Sequence, residues 1–211
     1  MERLVARLDE WLKEHRPAYY AELQPGLSEH RIREFERDIG FDVPDAVEEL
    51  YAWRNGQDPK YFVALQHNRM FMSLEDILDR HRMMNELLEG GEFDSEMWWS
   101  PKWVPFLDNG GGDHQCIDMG GAFSGIGGQV INYWHDWESR NIEYPSLEKW
   151  LEVFVASLEA RLWREVGGDL HPIDEDKWDE FLGEMNPGFP ITADAGWRSM
   201  QDRQGRSARM R

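Results

Sequence analysis

The stretch DNGGGDHQCIDMGG, Asp108 to Gly121, gathers three consecutive glycines, three aspartates, a histidine and the chain's single cysteine. A phosphate cradle, a metal site and a turn between two strands all compete for it. A Walker-type phosphate loop needs lysine and Ser/Thr after its last glycine. Here Asp113 and His114 follow, and a carboxylate would repel the phosphate. A dinucleotide fingerprint needs a helix after the glycines, whereas HQCIDM alternates like a strand. Asp113, His114 and Asp118 are metal ligands in kind. On a strand, however, Asp113 and His114 point to opposite faces, and only Asp118 shares the face of His114. No EF-hand, CxxC or HExxH spacing occurs in the chain. The favoured reading is a hairpin in which Asn109-Gly110-Gly111 supplies the positive φ of a tight turn. Cys116, set in a β run, then reads as a small buried hydrophobe with no histidine placed to activate it.

A hairpin here organises what surrounds it. WVPFL (Trp103 to Leu107) is the strand before it, and QVINYWH and NIEY alternate after it. The links near 110 and 137 are too short for crossover helices, so the strands should pair antiparallel. YFVAL and RMFM, around residues 61 to 72, add two short β-like runs.

Helices lie on both sides of these runs. Leu4, Val5, Leu8, Trp11 and Leu12 share one helical face, and Pro17 ends it. Ser28 should cap a second helix, with Leu27 and Ile32 at the staple positions and Gly40 as the left-handed stop. Pro44 opens a third, which Asn55-Gly56 closes. Ser73 caps a fourth through about Leu88, with Asp76 at the capping-box position. Ser146 caps a long closing helix carrying Leu147, Trp150, Leu151, Phe154, Val155, Leu158 and Leu162, and Gly167-Gly168 mark the end of the compact unit.

The expected class is therefore α+β: a mostly antiparallel sheet of about four to six strands flanked by helices. The expected division is a domain over 1–165 and an extension over 166–211. That extension carries a short helix around Trp178 to Leu182 and a basic tail, WRSMQDRQGRSARMR, with five arginines against one aspartate. The tail reads as disordered, or as folding back on the acidic body.

Charge narrows the partners. A net charge of −18 repels nucleic acid and anionic lipid and steers basic partners in. Solubility alone explains it as well. One cysteine excludes an internal disulfide, the charged MERLVARLDEWLKEHRP opening lacks a signal-peptide core, and no run spans a membrane. A cytoplasmic location is expected, with neither nucleic-acid nor membrane binding. The spacing offers no Ser–His–Asp set, so no enzyme, cofactor or metal is expected.

LSEHRIREFERDIGFDVPDAVEELYAWRNGQ resembles the opening of the SUKH superfamily, on Ile32, Glu36, Gly40, Pro44, Leu50, Tyr51, Asn55 and Gly56. WVPFLDNGGGDHQCIDM, GIGGQVINYWHD and YPSLEKWLEVF resemble its second half, on Trp103, Pro105, Asp113, Asp118, Gly128, Val130, Ser146, Trp150 and Leu151. Val43 replaces the more usual leucine before Pro44, and nothing after 166 has a counterpart. The resemblance implies a protein-binding domain of one of two kinds: an immunity protein that neutralises a toxin, or a cell-wall synthesis regulator. For the immunity kind, the expected contact surface is acidic: Asp108, Asp113, His114, Asp118 and Asp136, with Trp134 as an aromatic anchor. Structural roles compete for Asp108, Asp113 and Asp118, as turn caps and a strand-end bond.

Overall fold

The computed structural model describes residues 1–93, 98–123 and 126–193. Helix α1 (Glu2–His15) runs into the short α2 (Pro17–Ala21), then β1 (Leu23–Pro25), α3 (Glu29–Ile39), α4 (Asp45–Trp53) and β2 (Arg54–Gln57). Next come β3 (Met70–Phe71) and α5 (Leu74–Glu89), followed by a four-strand meander: β4 (Trp103–Asp108), β5 (His114–Asp118), β6 (Gln129–Tyr133) and β7 (Arg140–Tyr144). Helix α6 (Leu147–Glu159), β8 (Trp163–Val166), β9 (Asp169–Pro172), α7 (Glu175–Met185) and β10 (Ile191–Ala193) complete the order. The main sheet is six-stranded, ordered β10-β7-β6-β5-β4-β3, and every pairing is antiparallel. The class is α+β, as the patterning predicts.

The expected caps are in place. Ser28, Ser73 and Ser146 hydroxyls accept from the backbone N–H of Arg31, Asp76 and Lys149 at 3.4, 3.0 and 3.1 Å. Each satisfies an amide that the first helical turn leaves free. Asp76 closes onto the cap itself, accepting from the Ser73 hydroxyl at 2.6 Å.

The resemblance positions prove to be joints. Glu36 is buried, and its carboxylate accepts from the Val43 N–H at 2.8 Å and from Arg33 at 2.6 Å. Gly40 turns left-handed at φ 88° between them, and Pro44 is the N-cap of α4. Asn55 spans two elements: Oδ1 accepts from the Leu74 N–H at 2.9 Å, and Nδ2 donates to Glu75 at 2.8 Å. Gly56 lies at φ 71°, and a β-carbon there would fall on the backbone of Met72 and Ser73. Gly56→Ala is therefore expected to cost about 2–4 kcal/mol, read as a lowered denaturation midpoint, because strain and overlap add. Pro105 sits where the β4–β5 register slips, the place within a sheet where a missing N–H is tolerated.

Two cores flank the sheet. Ile117 and Val130 join Trp150, Leu151 and Phe154 of α6 in the larger one, with α1, α3 and α4 packed around. Their neighbours Cys116 and Ile131 face the other way, into a smaller core with Trp99, Trp103, Tyr133 and Ile142. Both faces of β5 are covered as a result.

Three features differ from the expectations. YFVAL forms no strand: four of its carbonyls accept from side chains instead, with Arg16 donating to the Ala64 and Leu65 carbonyls at 3.1 and 3.3 Å. Gln57 donates to the Tyr61 and Val63 carbonyls at 2.5 and 2.9 Å. Asn55-Gly56 lies within β2, which pairs with β1, and does not end a helix in a free turn. Gly167 and Gly168, at φ 65° and 100°, turn the β8–β9 hairpin. Beyond it Leu170 and Trp178 enter the larger core, and Ile191 of β10 pairs with Ile142. The basic tail, 197–211, lies outside the described residues.

Candidate functional site: the acidic hairpin end

The β4–β5 turn and the β6–β7 turn project from the same end of the sheet, because an antiparallel meander returns alternate connections to one side. The first turn is the hairpin read from the sequence. Gly110 and Gly112 carry the positive φ, at 75° and 103°. Asn109 ties it together: its Oδ1 accepts from the N–H groups of Gly111 and Asp113 at 2.8 and 3.0 Å. Its Nδ2 donates to Asp113 at 2.8 Å.

Asp113 joins the two turns. One carboxylate oxygen accepts from both the backbone N–H and the Nδ1 of His135, at 3.0 and 2.9 Å. Partial burial raises the Asp113 carboxyl, but these bonds and the Asn109 amide outweigh it and hold the group below the ordinary aspartate value. The bond to Asp113 in turn raises exposed His135. Asp136 lies beside them, so Asp113, His135 and Asp136 present ligand atoms all within 4.8 Å of one another. The trio could offer a cation three ligands, yet both Asp113 oxygens and the His135 Nδ1 are already engaged with each other or with Asn109.

Asp108 caps the turn through the Gly110 N–H at 2.6 Å and accepts from Arg80 of α5 at 3.2 Å. Trp134 is half-buried, and Asp136 is exposed. Trp137, which the sequence reading passed over, is 63 % exposed and is the larger aromatic surface here. The only hint was its place in WHDWE, a polar turn flanked by two tryptophans.

Two expected contact residues are not at the surface. His114 and Asp118 are both fully buried on the face of β5 that Trp99, Trp103 and Tyr133 cover. The alternation of HQCIDM is real, but neither face of the strand is open. His114 stacks on Tyr133 at 5.7 Å, and burial lowers its pKa to about 4, so it is neutral at pH 7. Asp118 makes the strand-end bonds: it accepts from Gln129 at 2.8 Å and from the Gly120 N–H at 3.1 Å. Burial raises its carboxyl. Burial also pushes the Cys116 thiol far above its usual range, which suits packing and not nucleophilic chemistry.

Under the turns lies Arg140, the first residue of β7, with none of its surface exposed. Its guanidinium donates to the carbonyls of Trp137, Ser139 and Trp98 and lies 4.5 Å over the Tyr133 ring. It makes no ion pair among the described residues. This cation fixes the floor from which the β6–β7 turn projects.

The joints at Glu36, Gly40, Asn55 and Gly56 and the Asp113 turn all lie within the span that matches a known family. The model of the SMI1 / KNR4 family (SUKH-1) matches residues 26–153. The chain belongs to this family. No curated protein matches it. Membership of SUKH-1 suggests a role of the immunity-protein or cell-wall-regulator type, generally non-enzymatic, with a protein as partner. The matched span covers the hairpin end, both turns and the Arg140 floor. Among the described residues, no helix of this SUKH-1 chain is long and apolar enough to cross a membrane.

Proposed function

We propose that this SUKH-1 chain is an immunity protein: a cytoplasmic, non-enzymatic inhibitor that binds a basic toxin domain, a nuclease, and blocks it. The observation that carries the reading is the hairpin end, where exposed Asp136 meets half-buried Asp113 across the two turns, next in the chain to exposed Trp137, with half-buried Asp108 on the same turn as Asp113. An aromatic anchor among carboxylates suits a surface that grips phosphate, since such surfaces are rich in arginine and lysine. The −18 charge extends that match over long range and accelerates encounter.

Affinity capture tests it. The immobilised protein is exposed to lysates of its native host and of competing strains, and bound material is eluted with salt. The expected product is one basic protein that kills when expressed alone. Its association rate should fall about tenfold or more from roughly 50 to 500 mM salt, with a smaller change in dissociation. A salt-independent association rate would remove steering from the account. Capture of host wall-synthesis proteins instead would favour the regulator role, which the family also contains.

A further inference from the structure

A second surface adjoins the hairpin end and shares Asp108 and Gly110 with it: a groove of about 430 Å³ between the 58–62 loop, β3 and α5. Its apolar lining includes Phe62, Met70, Phe71 and Met83. Phe62 is 76 % exposed and Met83 40 % exposed, so two large apolar side chains stand open to water at its rim. Phe62 is not on a loose loop. Gln57 donates to the carbonyls on either side of it, those of Tyr61 and Val63, and Lys60 N–H bonds Asp58 at 2.8 Å. The ring is held outward by a pinned backbone. Nothing in the larger core requires that position.

The charges around the groove are predominantly acidic. Asp58, Asp76, Asp79 and Asp108 line it, against Arg80 alone. Arg80 is taken up by Asp108 at 3.2 Å, and the nearby Arg82 by Asp79 at 3.2 Å. Asp58 and Asp76 form no ion pair among the described residues. Acidic rims over an apolar floor repel nucleic acid and a second copy of a −18 chain alike. They attract an apolar side chain carried on a cationic segment, and methionines adapt to the shape of such an anchor.

We propose that this groove is the anchor site for a basic protein segment, seating one large apolar side chain of the partner while Asp58, Asp76 and Asp79 take its flanking lysines or arginines. The proposal rests on the protein-binding reading above and adds the place and the chemistry of the contact.

The test uses the full chain with ¹³C-methyl methionine, titrated with a twelve-residue peptide that has one central tryptophan flanked by lysine and arginine. The Met70 and Met83 signals should shift. The same peptide with alanine for tryptophan, or with glutamate for the basic residues, should bind at least tenfold more weakly. Phe62→Ser and Asp79→Lys, both at positions open to solvent, should keep the wild-type melting temperature and lose at least tenfold in affinity. Equal binding of the glutamate or alanine peptide would overturn the proposal. So would Met70 and Met83 signals that stay still at millimolar peptide. If groove variants still neutralise a captured toxin at wild-type strength, the groove fails and the immunity reading stands. If the peptide docks as expected but no toxin is silenced, the groove stands and the immunity reading fails.

Discussion

Arg140→Ala is expected to destabilise the fold by about 3–5 kcal/mol, among the largest effects of any single change here. The guanidinium is wholly buried, and its charge is met by three carbonyl dipoles and the faces of Tyr133 and Trp98, with no carboxylate in contact. Burial lowers its pKa, but an arginine so held keeps its proton at neutral pH. Two terms oppose each other on truncation. Relief of the buried charge returns several kcal/mol, whereas three carbonyls lose a charged donor at roughly 1.5–3 kcal/mol each and a cavity opens. The losses win because alanine supplies neither volume nor donors. Arg140→Met keeps the volume and strands only the carbonyls, so its cost should be smaller, about 1–3 kcal/mol. The readout is the denaturant midpoint at unchanged slope. A loss below about 1 kcal/mol for the alanine variant would show that the cation is not what fixes this end of the sheet.

The second large effect is acid sensitivity. Burial is the main cause that lowers the pKa of both His114 and His67, each to about 4. Unfolded histidine titrates near 6.5, so between pH 6.5 and 4 the unfolded chain binds protons that the folded chain does not. Stability from these groups is complete above pH 6.5 and is lost as pH falls toward 4, by up to about 3 kcal/mol for His114 and less for half-buried His67. Asp118 and Glu143 work in the opposite sense: burial raises both carboxyls, so the folded state gains as pH falls through their raised values. Comparing variants separates the contributions. His114→Phe keeps the stack on Tyr133 and removes two ring nitrogens that have no hydrogen-bond partner. It should match or exceed the wild type at pH 7 and lose less stability by pH 4.5. A melting temperature that falls with pH as steeply as in the wild type would mean that His114 is not the sensor.

Features set by local chemistry were legible in the sequence. The three serine caps, Gly40 and the Asn109-Gly110 turn each follow from a residue's own hydrogen-bonding group or φ preference, so no distant partner was needed to read them. YFVAL failed for the complementary reason. Its composition suits a strand, but Arg16 and Gln57 reach its carbonyls from other elements, and no sequence window contains that competition. Strands β1, β2 and β10 are likewise defined by who lies beside them. The site divides in the same way. Asp113, His135 and Asp136 come together through adjacent turns and were partly legible. Burial of His114 and Asp118 required knowing that both faces of β5 are covered. The groove, which joins the 58–62 loop to Asp76, Asp79, Arg80 and Met83 of α5, was not legible, because Phe62 read as part of the YFVAL β-like run.

The most direct test of the central claim is survival. The chain is co-expressed with each basic nuclease-toxin domain from its native host and competing strains, and surviving colonies are counted. The account predicts that one toxin is silenced, and that Asp136→Lys together with Trp137→Ala, both exposed, abolishes protection without lowering the melting temperature. Failure to protect against any of these toxins, or full protection by that variant, would contradict it.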